Sequence, residues 1–172
     1  MQIIISLDDY CKAYNLQKGI YSPLSYFVGS LDLISISKEL KLNDGEFYPL
    51  PIYLPLREED LSGQVSGESV DLIYENNLVG FIDVSEVYEP DKDDLCIDIF
   101  GTKDINHPGV KYFLNEPKYF ISGKPTIFVA PSFTNEQYFM TPEQVKLEKI
   151  KRGFKSLVGF QTRNVPHRAH EH

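Results

Sequence analysis

The chain has 172 residues, of which 42% are hydrophobic and 24% are charged, and its formal net charge is −8. These values are typical of ordered globular domains and exclude disordered and collagen-like classes, while the length allows one domain, or one domain and part of another. Residues 1–140 carry 22 acidic and 10 basic side chains, whereas residues 141–172 carry 3 acidic and 7 basic ones. Nonspecific nucleic-acid binding depends on Lys and Arg at phosphates, so the acidic body argues against a nucleic-acid partner.

The cysteines and the apolar runs indicate the compartment. Cys11 and Cys96 are far apart and form no Cys-x-x-Cys pair, so we interpret them as free thiols in a reducing compartment. No apolar run approaches the roughly 20 residues of a membrane-spanning helix, and the first residues lack the pattern of a signal peptide. We therefore expect a cytoplasmic location and no membrane partner.

The first three quarters of the chain read as short strands separated by turn residues. Segments rich in β-branched and aromatic residues predict strands at Phe47–Leu56, Ser69–Tyr74, Leu78–Tyr88, Leu95–Phe100 and Thr126–Val129. Asn76-Asn77 predicts a tight hairpin turn, because Asn tolerates positive φ. Short helices are expected at Leu31–Lys41 and near Pro108–Leu114. The pattern favours a small barrel or sandwich, hence a mostly β member of the α+β class over residues 1–135.

The hydrophobic period changes at Thr141. This residue, Pro142 and Gln144 combine a hydroxyl cap, a proline at the first helical position and a capping-box amide. The helix is predicted to run to about Arg152 and to stop at Gly153. We interpret its lysines and arginines as a solvated face rather than a ligand site.

A strand, a polar loop and a helix start follow in that order. Ser156–Phe160 predicts a buried strand of a parallel sheet, residues 161–164 form the loop, and Pro166 suits the first turn of a helix. In open α/β sheets, anionic ligands bind where strands end and helices begin. Residues 136–172 are therefore interpreted as a linker helix and the start of a second domain.

Two histidines and an arginine mark this segment as a candidate nucleotide-phosphate site. His167 and His170 lie three residues apart and would project from one helical face, while Arg163 offers a planar fork for a tetrahedral oxyanion. A His pair can also bind a metal, but zinc needs a third protein ligand and the sequence places none nearby, so no protein-bound metal is predicted. A satisfied core histidine is the usual alternative for a single His, and it fits this cluster of His, Arg and Asn poorly.

The string Phe160-Gln-Thr-Arg-Asn-Val-Pro-His-Arg-Ala-His-Glu171 closely resembles the first catalytic motif of the ATP sulfurylase (sulfate adenylyltransferase) family, Gln-x-Arg-Asn followed by His-x-x-His. Further segments resemble the N-terminal region of that family in the same order: Gly19–Val28, Leu42–Ile52, Val87–Lys92, Gly101–Val110 and the helix capped by Thr141. Together these segments extend over essentially the whole chain.

The resemblance implies a PUA-like β-barrel domain followed by the first strand and helix start of a Rossmann-like nucleotidyltransferase domain. In the family, ATP accompanied by Mg²⁺ reacts with sulfate to give adenosine 5′-phosphosulfate and pyrophosphate. Carried over by position, Gln161 and Arg163 would bind sulfate, and Thr162, Arg163 and Asn164 would act at the reacting centre. These residues, together with His167 and His170, would contact the ATP phosphates.

The family continues well beyond this motif, through a second Gly-Arg-Asp-His motif that this chain does not contain. We therefore expect an N-terminal portion with little activity by itself. The resemblance also implies a homo-oligomer for the full-length protein, because members of the family are commonly oligomeric. Two alternatives stay open: a nucleotidyltransferase portion with another oxyanion or a sugar phosphate as acceptor, and a non-catalytic PUA-like binding module.

Overall fold

The computed structural model describes residues 2–61, 66–132, 136–162 and 168. The chain divides into two compact units, Met1–Gln137 and Tyr138–His172. The first unit contains the sheet, and the second contains one helix followed by an irregular segment.

The first unit is built on a five-stranded mixed sheet. Its strands are β1 (Gln2–Ile4), β2 (Leu54–Leu56), β3 (Ser69–Tyr74), β4 (Asn77–Tyr88) and β5 (Tyr119–Ile127). Their order in the sheet is β1-β3-β4-β5-β2; β1 pairs with β3 in parallel, and the other pairs are antiparallel. Among the described residues this sheet is open, with β1 and β2 at its edges.

Five α-helices and two short 3₁₀ turns complete the described part of the chain: α1 (Leu7–Gln17), α2 (Ser30–Glu39), α3 (Lys92–Phe100), α4 (Pro108–Asn115), α5 (Pro142–Lys151), and the turns Glu58–Asp60 and Glu136–Tyr138. These helices contain more residues than the strands do. The α+β class is confirmed, but the chain is less rich in strand than predicted.

The β3–β4 hairpin confirms the predicted tight turn with a shift of one residue. The turn residues are Glu75 and Asn76, whose φ angles are 48° and 62°. Two positive φ angles in a two-residue loop match the right-handed twist of the flanking strands. Asn77 instead opens β4, and its side-chain amide donates to the Glu75 carbonyl oxygen at 2.9 Å.

The prediction of a strand at Leu95–Phe100 is wrong, because these residues form most of α3. The carboxylate of Asp91 caps the helix by accepting from the Asp94 backbone N–H at 3.1 Å. Gly101 ends the helix with a φ of 70°, a conformation that glycine adopts without a steric cost. A short apolar run is compatible with a strand or a helix, so the capping residues Asp91 and Gly101 determine that it forms a helix.

The long strand predicted at Phe47–Leu56 is reduced to the three residues of β2. Prolines at positions 49, 51 and 55 remove backbone donors, which confines strand structure here to a short edge. Of the strand predicted at Thr126–Val129, only the first two residues are in a strand, where they form the end of β5 (Tyr119–Ile127). β1 and α1 were not predicted, although Ser6 caps α1 by accepting from the Asp9 backbone N–H.

The helices predicted near Leu31–Lys41 and Pro108–Leu114 are confirmed as α2 and α4. The α4 helix begins after His107, whose Nδ1 accepts from the Val110 backbone N–H at 3.4 Å. His107 therefore has a structural role here. A residue of β4 stabilises the start of α2. The two carboxylate oxygens of Glu86 accept hydrogen bonds from Ser30, one from its backbone N–H at 2.9 Å and one from its hydroxyl at 2.6 Å.

Aromatic packing fills the space between the sheet and the helices. Tyr53 stacks on Phe120 with ring centroids 4.4 Å apart, and Phe113 meets both rings edge-on. Beside this cluster, Gly123 accepts from and donates to the backbone of Phe27. A Cβ at Gly123 would overlap the Asp83 carbonyl on the opposite side, so glycine lets three backbone segments meet there.

The second unit begins with α5. The hydroxyl of Thr141 accepts from the Gln144 backbone N–H, and the Gln144 side chain accepts from the Thr141 backbone N–H, so the predicted capping box is confirmed. No residue of α5 is buried. The helix ends at Lys151 with Arg152 as its C-cap, and the next residue, Gly153, has a φ of 67°, in agreement with the predicted stop.

The strand predicted at Ser156–Phe160 is not formed. These residues are exposed and irregular, and no strand in the described part of the chain pairs with them. A strand depends on a neighbour for its backbone hydrogen bonds, so an isolated apolar run has nothing to order it. In the residues that the structure describes, no helix is both long and apolar enough to cross a membrane.

Candidate functional site

The candidate site follows α5 along the chain. Gln161 and Thr162 belong to the described residues and lie on an exposed, irregular segment. Arg163, Asn164, His167 and His170 lie outside the described residues, as does the helix start predicted at Pro166. Of the six predicted ligand-binding residues, the structure therefore places the first two at the surface.

The helix before the motif carries a basic surface. Lys146, Lys151 and Arg152 are exposed and Lys149 is half-buried, as expected for a solvated face. Glu148 accepts from Arg152 Nε at 2.7 Å, and Lys151 lies 3.7 Å away. The hydrogen bond from Arg152 is the main cause that lowers the pKa of Glu148.

Large apolar side chains accompany these charges. Leu147, Ile150, Leu157, Val158 and Phe160 are all exposed, and Val158 retains 92% of its accessible surface. The segment that leads into the motif is thus both basic and apolar, and both kinds of residue occur on the helix and in the irregular run after it.

The structure offers no resident metal centre in the parts of the chain that it describes. No group of three or more His, Cys, Asp or Glu side chains there could hold an ion. The motif residues named above carry amide, hydroxyl, guanidinium and imidazole groups, which can bind anions by donating hydrogen bonds.

The fold defines a small α+β domain on a mixed five-stranded sheet, followed by a short helical unit that leads into the predicted site. Comparisons with known proteins are more specific. The profile of the PUA-like domain family matches residues 1–129, so the chain belongs to that family. The ATP-sulfurylase family profile matches residues 136–172, the stretch that contains the motif.

Relatives with assigned names extend over both segments. A sulfate adenylyltransferase of Entamoeba histolytica is 37% identical over an alignment of 161 residues, and the match covers 89% of this chain and 38% of the relative. The sulfate adenylyltransferase of Deinococcus deserti is 39% identical over 157 residues, or 91% of this chain and 40% of the relative. That of Chloroflexus aurantiacus is 31% identical, with 98% of this chain and 44% of the relative aligned. The chain thus spans roughly two fifths of the length of these relatives.

Solved structures with a similar fold include the following one. It is titled hexameric APS kinase from Thiobacillus denitrificans, and the comparison gives a TM-score of 0.71 at 20% sequence identity. It covers 99% of this chain and 30% of the other. At this level of identity the similarity concerns the fold alone.

Proposed function

We propose that this chain is the N-terminal portion of a sulfate adenylyltransferase, with a PUA-like domain over residues 1–135 and the start of a Rossmann-like nucleotidyltransferase domain over residues 136–172. The observation that carries the proposal is the match of the ATP-sulfurylase family profile to the segment holding Gln161, Arg163, His167 and His170. The named relatives support it, because their similarity continues from the PUA-like domain through this segment.

The proposed reaction is an in-line substitution at the α-phosphorus of ATP. A sulfate oxygen forms a bond to this phosphorus while the bond to the bridging oxygen of the β-phosphate breaks, and the electron pair leaves with pyrophosphate. ATP enters as its Mg²⁺ complex, and adenosine 5′-phosphosulfate is the second product. The reaction needs no covalent enzyme intermediate, so the protein contributes positioning and charge stabilisation.

The motif residues suit these tasks by their chemistry. Arg163 would bind sulfate through two parallel hydrogen bonds, and the Gln161 amide would fix its orientation. Thr162 and Asn164 would donate to the oxygens of the α-phosphate as charge builds on them. His167 and His170 would bind the other phosphates and the departing pyrophosphate. The exposure of Gln161 and Thr162 leaves both side chains accessible to such ligands.

The test is pyrophosphate release from ATP by the whole protein, with and without sulfate. Release that depends on sulfate is expected. Release without sulfate, or stimulation by another oxyanion or a sugar phosphate in place of sulfate, would refute the proposed acceptor. The 172-residue chain alone is expected to release little, since it spans only about two fifths of its relatives.

A pair of arginine variants tests the residue roles. Arg163→Ala is expected to lower kcat by about 10²–10³-fold, the usual effect of removing one group that stabilises transition-state charge. Arg168→Ala is the matched control, because it removes the same side chain five residues further on, where no ligand role is proposed. Equal losses in the two variants would contradict the assignment of Arg163.

We infer that the full-length protein is located in the cytoplasm and forms a homo-oligomer, on the basis of its resemblance to the ATP sulfurylase family. Sedimentation equilibrium of the full-length protein would test the assembly. A monomer over the whole concentration range would contradict it.

A further inference from the structure

A cavity lies between α2 and α3 in the first unit. Its volume is about 180 Å³. Leu33 and Leu95 are buried in its apolar wall, and Tyr88 is fixed there by donating to the Val28 carbonyl at 2.9 Å. Ile34 lines the same cavity with 48% of its surface exposed. Pockets for metabolites usually measure roughly 300–1,000 Å³, so this cavity suits a single apolar side chain.

Three aspartates line the α3 side of this cavity. Asp91, Asp94 and Asp98 are spaced three and four residues apart, which places them along one face of α3. Lys38 is the basic residue among the cavity's lining. Within the part of the chain that the structure describes, Lys38 and Asp98 make no ion pair, and Asp94 meets Lys103 only at 3.8 Å. The rim is therefore acidic overall.

The negative charge of Asp98 interacts unfavourably with the dipole of its own helix. It lies in the last turn of α3, where the carbonyl ends carry partial negative charge, and that turn contains no basic residue. A carboxylate at this position destabilises the helix unless a cation from elsewhere offsets it. Such local conflicts are typical of positions that serve binding rather than stability.

We propose that this cavity and its aspartate rim bind a basic, amphipathic segment of a protein partner. An apolar side chain of the partner enters the cavity beside Ile34, and its Lys or Arg residues face Asp94 and Asp98. The charge of the rim selects against acidic ligands such as nucleic acids and anionic membrane surfaces. This function is separate from the proposed sulfate activation, since it uses none of the motif residues.

The first test measures binding of a short synthetic peptide with leucine and lysine at helical spacing, labelled for fluorescence anisotropy. Asp98→Lys is expected to weaken binding by more than about fivefold, and Asp98→Asn by about two- to fivefold, in keeping with exposed ion pairs. Both changes remove the unfavourable charge from the last turn, so the variants should fold. Ile34→Ser is expected to weaken binding as well.

Asp71→Lys is the matched control, because it makes the same charge change at an exposed β3 position that does not line the cavity. It should leave the affinity nearly unchanged. Equal weakening by Asp71→Lys and Asp98→Lys would mean that the peptide senses only the net charge, and it would overturn the proposal. So would equal binding of a peptide with serine in place of leucine.

Two further measurements locate the contact and identify the occupant. Amide shifts in a heteronuclear NMR titration are expected to concentrate in α2 and α3. Shifts spread over the whole first unit would overturn the proposal. Sedimentation of the chain without peptide should give the same mass for the wild type and Asp98→Lys. A self-association that Asp98→Lys abolishes would show a second copy in the cavity and refute the partner.

Discussion

The carboxylate of Glu86 is expected to stabilise the first turn of α2 from the neighbouring sheet. Its two oxygens accept hydrogen bonds from the Ser30 N–H and hydroxyl at 2.9 and 2.6 Å. Each such bond contributes about 1 kcal/mol net, so Glu86→Ala should lower the free energy of unfolding by about 2 kcal/mol and Ser30→Ala by about 1 kcal/mol. Gly29 allows this approach, since a Cβ there would lie 2.7 Å from the Glu86 carboxylate.

Urea unfolding followed by near-ultraviolet circular dichroism of the tyrosines measures this effect, because the chain has 11 tyrosines and no tryptophan. The control is Glu89→Ala, which removes a glutamate three residues further on whose ion pair with Lys118 is exposed at 3.1 Å. It should change the free energy of unfolding little. Equal effects of Glu86→Ala and Glu89→Ala would refute the reasoning. So would additive effects of Glu86→Ala and Ser30→Ala, since residues that share hydrogen bonds must couple.

Three further predictions address the sheet, the pH dependence and α5. Gly123→Ala should lower the free energy of unfolding in urea by about 3 kcal/mol or more, because its Cβ would overlap the β4 backbone. Gly101→Ala meets no such overlap and should cost about 1–2 kcal/mol from its positive φ alone. A larger loss for Gly101→Ala than for Gly123→Ala would contradict the close approach at Gly123. Burial, together with the hydrogen bond that the Tyr26 hydroxyl donates to Asp32, raises the pKa of Tyr26 from 10.0 to about 12. The contribution of Tyr26 to the free energy of unfolding is therefore complete below pH 10 and is lost as the pH rises to about 12. Urea unfolding between pH 10 and about 12 should show a smaller loss of this free energy for Tyr26→Phe than for the wild type. Thr141→Ala should destabilise α5 by about 1 kcal/mol and lower the helical circular dichroism signal of the chain. Thr141→Ser keeps the capping hydroxyl and should keep the signal. Equal signals from the two variants would argue against the cap.

The elements that the sequence predicts best are those with a clear period and a clear turn. The β-branched and aromatic residues of Ser69–Tyr74 predict β3 with the bounds that it has, and the Asn residues that follow locate the hairpin to within one position. The capping box of α5 was predicted from Thr141, Pro142 and Gln144 alone. In these cases the relevant interactions are local, so neighbouring residues contain the whole signal.

The errors occur where a local pattern is compatible with both a strand and a helix, or where residues distant in sequence determine the structure. Leu95–Phe100 is apolar enough for a strand, and only Asp91 and Gly101 at its ends indicate the helix. Gly123 and Pro125 interrupt the strand pattern of β5, yet the sheet extends through both because β4 pairs along their length. Ser156–Phe160 has the composition of a buried strand and finds no partner among the described residues. The ligand roles of Arg163, Asn164, His167 and His170 stay predictions.

The parallel pairing of β1 with β3 sets an order on folding during synthesis. Gln2 lies opposite Asp71 in this pair, so the first strand emerges from the ribosome long before the strand that it must join. Closing such a large loop is entropically costly, and contacts of this sequence separation slow folding. The β3–β4 hairpin is local and can form first, after which β1 can dock onto its edge. Until then the apolar side chains of β1 and α1 have no sheet to cover them, so this part of the nascent chain exposes apolar surface that favours aggregation.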